Sequence, residues 1–173
     1  MNNILIYPNS LFKENKIIDE TKTVYILEHN VYFRAYKYHK LKLILHRATM
    51  KKYAEYIKKK YKCKVKYIEN KEIKEGIEEI IKKMKKIELY DPVDHKVEEE
   101  LKRISKKYGI EIKIHETPLF ITKTKELEKY YEKDKKHNHN NFYIWQRKRL
   151  NVMIKKNKPE GGRWTYDTEN RER

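Results

Sequence analysis

The chain has 173 residues, with 43 lysines and arginines against 26 acids, a net charge of +17, and a single cysteine, Cys63. That length suits one domain with an appendage and can build a core without covalent staples, while one cysteine excludes an intrachain disulfide or a cluster of thiolates within the chain. No run approaches the ~18 apolar residues that span a bilayer, and the amino terminus lacks a signal-peptide core, so a soluble, intracellular protein without membrane partners is expected.

Residues 3–7 (NILIY) and 23–27 (TVYIL) are apolar on both faces. Between the second run and the next lies an aromatic and basic stretch, residues 32–42 (YFRAYKYHKLK). Rings interleaved with lysine and arginine suit contact with a nucleic-acid strand, but Tyr32, Phe33 and Tyr36 would equally serve to pack a helix on a sheet. Residues 39–61 carry a helical period, with Leu41, Ile44, Leu45 and Ala48 on one stripe, continued by Met50, Tyr53, Ala54, Ile57 and Tyr61. From Arg34 to Tyr67 there are 13 basic residues and one acid, whereas from Glu69 to Glu100 there are 7 basic residues and 11 acids. Such one-sidedness points to an anionic partner, of which nucleic acid is the commonest; codon bias toward lysine is the other reading. Lys40, Lys42, Arg47 and Lys51, with Arg147 and Arg149 farther on, are the candidate contacts for weak, non-specific DNA binding.

Residues 64–68 (KVKYI) alternate, and Cys63 beside Val65 reads as core filler. Residues 71–85 predict a helix through Ile73, Ile77, Ile80, Ile81 and Met84, and residues 87–90 (IELY) a further strand. Residues 93–108 predict another helix, with Asp91 as N-cap, Pro92 in its first turn and Gly109 as its stop. The acids Glu78, Glu79 and Glu98–Glu100 read as solvated. Residues 110–114 (IEIKI) alternate again. Continuous apolar runs mark covered strands of a parallel sheet and alternating runs less covered ones, so the first two strands are central and the third and fifth are edges. Strands alternating with helices, joined by right-handed crossovers, give an α/β, doubly wound, five-stranded parallel sheet of order 3-2-1-4-5 with a carboxyl-terminal helix and coil tail. Ligands of such sheets bind beyond the carboxyl ends of the strands where the winding reverses, here near Asn9, Ser10 and Asp91.

Residues 1–121 form this domain. Residues 122–141 read as a linker or weakly ordered helix, residues 142–157 as a basic helix, and residues 158–173 as a coil. His137 and His139 bracket Asn138 without a third ligand at fixed spacing, so no metal site is assigned. No glycine-rich phosphate cradle and no nucleophile motif occurs among the four glycines and scattered histidines. From the residues alone, no catalytic site is assigned.

The tail carries the most specific signal. Pro159-Glu160-Gly161-Gly162-Arg163-Trp164-Thr165-Tyr166-Asp167-Thr168-Glu169-Asn170-Arg171 resembles the P-x-G-G-R-W-N-F-D-x-E-N-R segment of the prokaryotic photolyase-related proteins, the iron–sulfur branch of the cryptochrome/photolyase family. Thr165 stands for Asn and Tyr166 for Phe. Phe142, Tyr143 and Arg147 fit that family's F-Y-R-x-M-R pattern, from which Ile144 and Gln146 depart. His39-Lys40-x-Lys42-Leu43 and Ala48-x-Met50 resemble its H-K-x-K-L and A-M-R-H-F helix. The resemblance runs over nearly the whole chain and implies the same α/β amino-terminal domain. It also implies that FAD and a 4Fe-4S cluster belong to a larger helical domain beyond Arg173. The chain is then expected to be the antenna and docking part of a light-driven DNA repair flavoprotein, inactive alone or acting with a separate flavin-binding catalytic chain. A non-enzymatic basic nucleic-acid-binding protein, or a fragment without activity, is the alternative. In relatives this region contacts a lumazine antenna, which makes Asn9, Ser10, Glu28, Tyr32 and Asp91 the candidate antenna-site residues. Here Pro8-Asn9-Ser10-Leu11 replaces the family's G-D-Q-L, and Tyr32 replaces a glutamate. Arg163, Trp164, Asp167, Asn170 and Arg171 are the expected interdomain docking residues.

Overall fold

The computed structural model describes residues 2–73, 76–133 and 137–166. The chain divides into two compact units, Met1–Leu119 and Phe120–Arg173.

In the first unit, β1 (Asn2–Ile6), β2 (Thr23–Leu27), β3 (Lys64–Ile68), β4 (Lys86–Tyr90) and β5 (Glu111–His115) form one parallel sheet of order β3-β2-β1-β4-β5. That is the order expected from the sequence. It follows from burial: β1 and β2 are covered on both faces, whereas β3 and β5 expose alternate residues. Ile4, Ile6, Val24 and Ile26 look toward α2 (Lys40–Tyr61) and bury Met50, Tyr53 and Ile57. Leu5, Tyr7, Leu27, Ile87 and Leu89 look the other way and bury Ile73, Ile77 and Ile81 with Val97, Leu101 and Ile104 of α4 (His95–Tyr108). Each fully buried aliphatic side chain stabilises the fold by roughly 1.5–3 kcal/mol relative to exposure.

Four local expectations are corrected. The stripe expected in the first turns of α2 does not pack on the sheet: Leu41, Ile44 and Leu45 are 61–67% exposed, Leu43 instead packs against the core, and full burial begins at Met50. A short α1 (Asn30–Phe33) precedes this helix, and His39 caps it by accepting the Leu41 N–H. Second, the described residues within 71–85 do not form the one helix expected. A 3-10 turn over Asn70–Glu72 is followed by α3 (Glu78–Ile81), a single turn. The cause is tertiary, because the Glu100 carboxylate accepts the Ile77 N–H at 2.9 Å and a Cβ on Gly76 would collide with it. Ile73, Ile77 and Ile81 are buried all the same, so the period foretold burial without a continuous helix.

Third, α4 starts later than expected. Asp94 caps it, accepting the N–H groups of Lys96 and Val97, while Asp91 accepts the N–H of Val93, which takes a left-handed φ of 53°. Gly109 ends the helix at φ 66°, as expected. Finally, the second unit holds more structure than a helix and a coil. α5 (Thr124–Lys133) occupies the stretch read as linker or weak helix, and α6 (His139–Leu150) stops at left-handed Asn151 rather than reaching residue 157. A hairpin follows, β6 (Ile154–Lys155) pairing antiparallel with β7 (Lys158–Pro159). Its two turn residues, Lys156 and Asn157, both have positive φ, the geometry that matches the twist of a tight hairpin.

No helix among the described residues is long and apolar enough to cross a membrane. Cys63 is buried, with its thiol 3.8 Å from the Ile57 carbonyl.

Candidate functional site

The five positions expected at the carboxyl ends of the strands separate into two groups. Asn9, beyond β1, and Tyr32, on α1, both donate to the Pro92 carbonyl beyond β4, at 2.8 and 3.3 Å. Ser10 is buried and its hydroxyl donates to the side-chain Oδ1 of Asn9, and Asp91 belongs to the same loop as Pro92. These four therefore meet where the winding reverses.

Glu28 lies elsewhere. It is fully buried at the end of β2, and Arg47 of α2 grips it with two bonds, Nε to Oε1 at 2.6 Å and Nη2 to Oε2 at 2.5 Å. The Tyr67 hydroxyl and the Asn70 N–H complete its shell, at 2.7 and 3.0 Å. Burial alone would raise its pKa; the bonds from Arg47, Tyr67 and Asn70 outweigh it and hold the carboxyl below its ordinary value. A cleft of about 420 Å³ lined by Phe33, Arg34, Leu43, Ile44, Arg47, Ala48 and Asn70 lies beside this pair.

Between the two groups sits a cluster that the sequence did not disclose. His29 is buried; its Nδ1 accepts the Val31 N–H, which places the ring proton on Nε2, 2.8 Å from Glu100 Oε2. Tyr7 packs edge-on against His29 with centroids 5.5 Å apart, and its buried hydroxyl has no hydrogen-bond partner among the described residues. Burial, then the charge of Glu100, pushes the Tyr7 hydroxyl well up. Burial would raise Glu100 too, but the bonds from His29 and the Ile77 N–H hold it below the usual carboxylate range. Glu100 was expected on a solvated face. Its position beside Leu101, three residues after Val97, put it on the buried stripe of α4, and that spacing was the available signal.

The expected antenna positions are bonded within the protein: Asn9 and Tyr32 to the Pro92 carbonyl, Ser10 to Asn9, and Glu28 to Arg47, Tyr67 and Asn70. Chemically these groups lock strand ends to helices. They do not present an exposed nucleophile with a base beside it.

The basic candidates are spread. Lys40, Lys42 and Lys51 are exposed on α2, with Lys51 3.4 Å from Glu69, and Arg47 serves Glu28. Arg149 pairs with Glu126 at 2.9 Å. Arg147, expected to contact a phosphate, is only 4% exposed. Its guanidinium donates to the carbonyls of Val152 and Met153 and to those of Arg163 and Trp164, so it fastens hairpin and tail to α6. Trp164 is half-buried, with Arg147 and Lys148 over its ring at 5.4 and 4.7 Å. Asp167, Asn170 and Arg171 lie outside the described residues. His137 and His139 are exposed, and no group of three metal-ligating side chains occurs among the described residues.

A parallel sheet of this order, with its loops gathered at the winding reversal, makes the first unit a doubly wound α/β module. The chain belongs to the deoxyribodipyrimidine photo-lyase-related protein family, whose sequence profile matches residues 4–173. It is also similar to an uncharacterized protein of Acanthamoeba polyphaga mimivirus, 32% identical over 187 aligned positions that take in 99% of this chain and 95% of that protein.

Proposed function

We propose that this chain is the antenna-side, docking module of a photolyase-related DNA repair flavoprotein, and that it works against a flavin-binding catalytic module not carried on residues 1–173. The flavin module supplies the light-driven chemistry on DNA; this module supplies a rigid α/β body and an anchored contact segment. The observation that carries the reading is Arg147. A buried arginine that holds four backbone carbonyls makes a rigid mount for Trp164, whose side chain is only partly buried. Aromatic side chains fixed in this way are the usual anchors of an interface. The family's profile extends through this segment, which supports reading it as a contact surface.

The test is a binding titration between the full chain and a purified flavin-binding module of the family. Trp164→Ala is expected to weaken that complex by about 2 kcal/mol or more, roughly thirtyfold, the scale of an interface anchor. Undiminished binding by the variant, or no complex at all, would remove the reading.

A second reading rests on Lys40, Lys42 and Lys51, exposed along the most basic stretch of the chain. On that reading the module also binds DNA without sequence preference, and affinity falls steeply with salt. Gln at these three positions is then expected to lower affinity more than Gln at Lys82, Lys83 and Lys85, and equal losses would refute it.

A further inference from the structure

α5 and α6 of the second unit are unusual in what they leave uncovered. Arg147 is the one buried side chain of the two helices among the described residues, although they carry Tyr130, Tyr131, Phe142 and Trp145. These rings touch one another while each keeps an accessible part: Tyr130 meets Trp145 with centroids 4.7 Å apart and planes tilted by 37°, and Tyr131 lies parallel to Phe142 at 6.1 Å. Phe142 also meets Tyr130 and Trp145, at 5.3 and 5.5 Å, and the Arg149 guanidinium lies 5.2 Å over Trp145. Beside this group is a cleft of about 480 Å³ lined by Glu126, Lys129, Tyr130, Lys133 and Trp145.

Its chemistry is specific. Glu126, Lys129, Tyr130 and Lys133 follow the three- and four-residue spacing of one helix face, so α5 offers one ring between two ammonium groups. The acid of the set is neutralised, because Arg149 Nη1 pairs with Glu126 at 2.9 Å and the Lys123 N–H donates to the same carboxylate. Lys129 and Lys133 are exposed and form no ion pair among the described residues. The net character of the cleft is an aromatic floor with a cationic rim. A planar ring carrying an anionic group is the matching occupant, and a nucleotide is the biological form of that chemistry.

We propose that the α5–α6 cleft is a binding site for one nucleotide of a single-stranded nucleic acid, the base packing against Tyr130 and Trp145 and the adjoining phosphates paired with Lys129 and Lys133. A strand is favoured over a free nucleotide because the aromatic surface continues past the cleft. Tyr131, Phe142 and His137 form a second group of rings, the latter 4.6 Å from Tyr131, where a neighbouring base can rest. The site is independent of the docking reading above, since it uses neither Trp164 nor Arg147.

Tryptophan fluorescence tests this, because Trp145 and Trp164 are the two tryptophans of the chain. In the full chain with Trp164→Phe, the emission reports on Trp145 alone. Titration with a ten-nucleotide oligo-dT is expected to quench that emission, with affinity falling on a log–log salt plot with a slope of about −1.4 from the two lysines. Lys129→Gln with Lys133→Gln should flatten this slope while leaving the circular dichroism of the unit unchanged. Tyr130→Leu should weaken binding at least about fivefold and Tyr130→Phe should preserve it, since the ring and not the hydroxyl carries the stacking. Absence of quenching, quenching indifferent to the lysine pair, or dTMP binding as tightly as the oligonucleotide would each overturn the proposal.

Discussion

Replacing Arg47 by Met removes the guanidinium but keeps much of the aliphatic stem, and it leaves the Glu28 carboxylate buried with only Tyr67 and Asn70 as donors. Removing one partner of a buried ion pair costs about 3–5 kcal/mol when both are enclosed. Here Glu28 is fully buried but the Arg47 side chain is 49% exposed, so water reaches one end of the pair and the expected loss is nearer 3 kcal/mol. For a chain of this length that corresponds to a drop in Tm of about 6–12 °C. The pH dependence separates this cause from simple loss of packing. In the native protein the folded pKa of Glu28 lies below its unfolded value, so its contribution is full above about pH 4.3 and is lost as pH falls through the folded value. In the variant, burial is no longer outweighed and the folded pKa rises above the unfolded one. The variant then gains stability on acidification, and its deficit narrows from pH 7 toward pH 4. Urea unfolding at several pH values, read as a shift in midpoint at constant m, measures both effects. A deficit under about 1 kcal/mol, or one that does not change with pH, would refute the reasoning.

Three further outcomes follow from the same packing. Leu101→Ala should cost about 2–5 kcal/mol in urea unfolding, whereas Leu45→Ala, 62% exposed on α2, should stay within about 0.5 kcal/mol. Asp94→Ala should cost about 1 kcal/mol through the lost cap of α4, measured the same way. Glu78, bonded by Lys107, Tyr108 and Arg103, should titrate at about 2 when its carboxyl carbon is followed by NMR, and a value near 4 would contradict those bonds.

Sheet order was legible because it depends on local patterns: apolar on both faces for β1 and β2, alternating for β3 and β5. What escaped sequence reading depends on contacts between distant residues. Ile73, Ile77 and Ile81 promise a helix, and only Glu100 closing on Gly76 shows why α3 is a single turn. Asp91 and Asp94 are both acceptable caps, and the choice turned on Val93 adopting positive φ, which β-branched residues seldom do. Arg147 sits in a basic run like any solvated arginine, but its acceptors are carbonyls as far along the chain as Trp164. In the candidate site the gathering of Asn9, Ser10 and Asp91 followed from topology. Glu28, Tyr67 and Arg47, from three different elements, could be joined only by the folded chain. The hairpin did leave a trace, since Asn157 is a favoured residue for its left-handed turn position.

The docking claim is tested most directly by amide hydrogen exchange on the full chain, alone and with a flavin-binding module of the family. The account predicts that addition of the module increases protection in residues 159–166 around Trp164, while α2 and β5 change little, and that Trp164→Ala abolishes the increase. Equal exchange in residues 159–166 with and without the module, under conditions where the two proteins are mixed at saturating concentration, would contradict it.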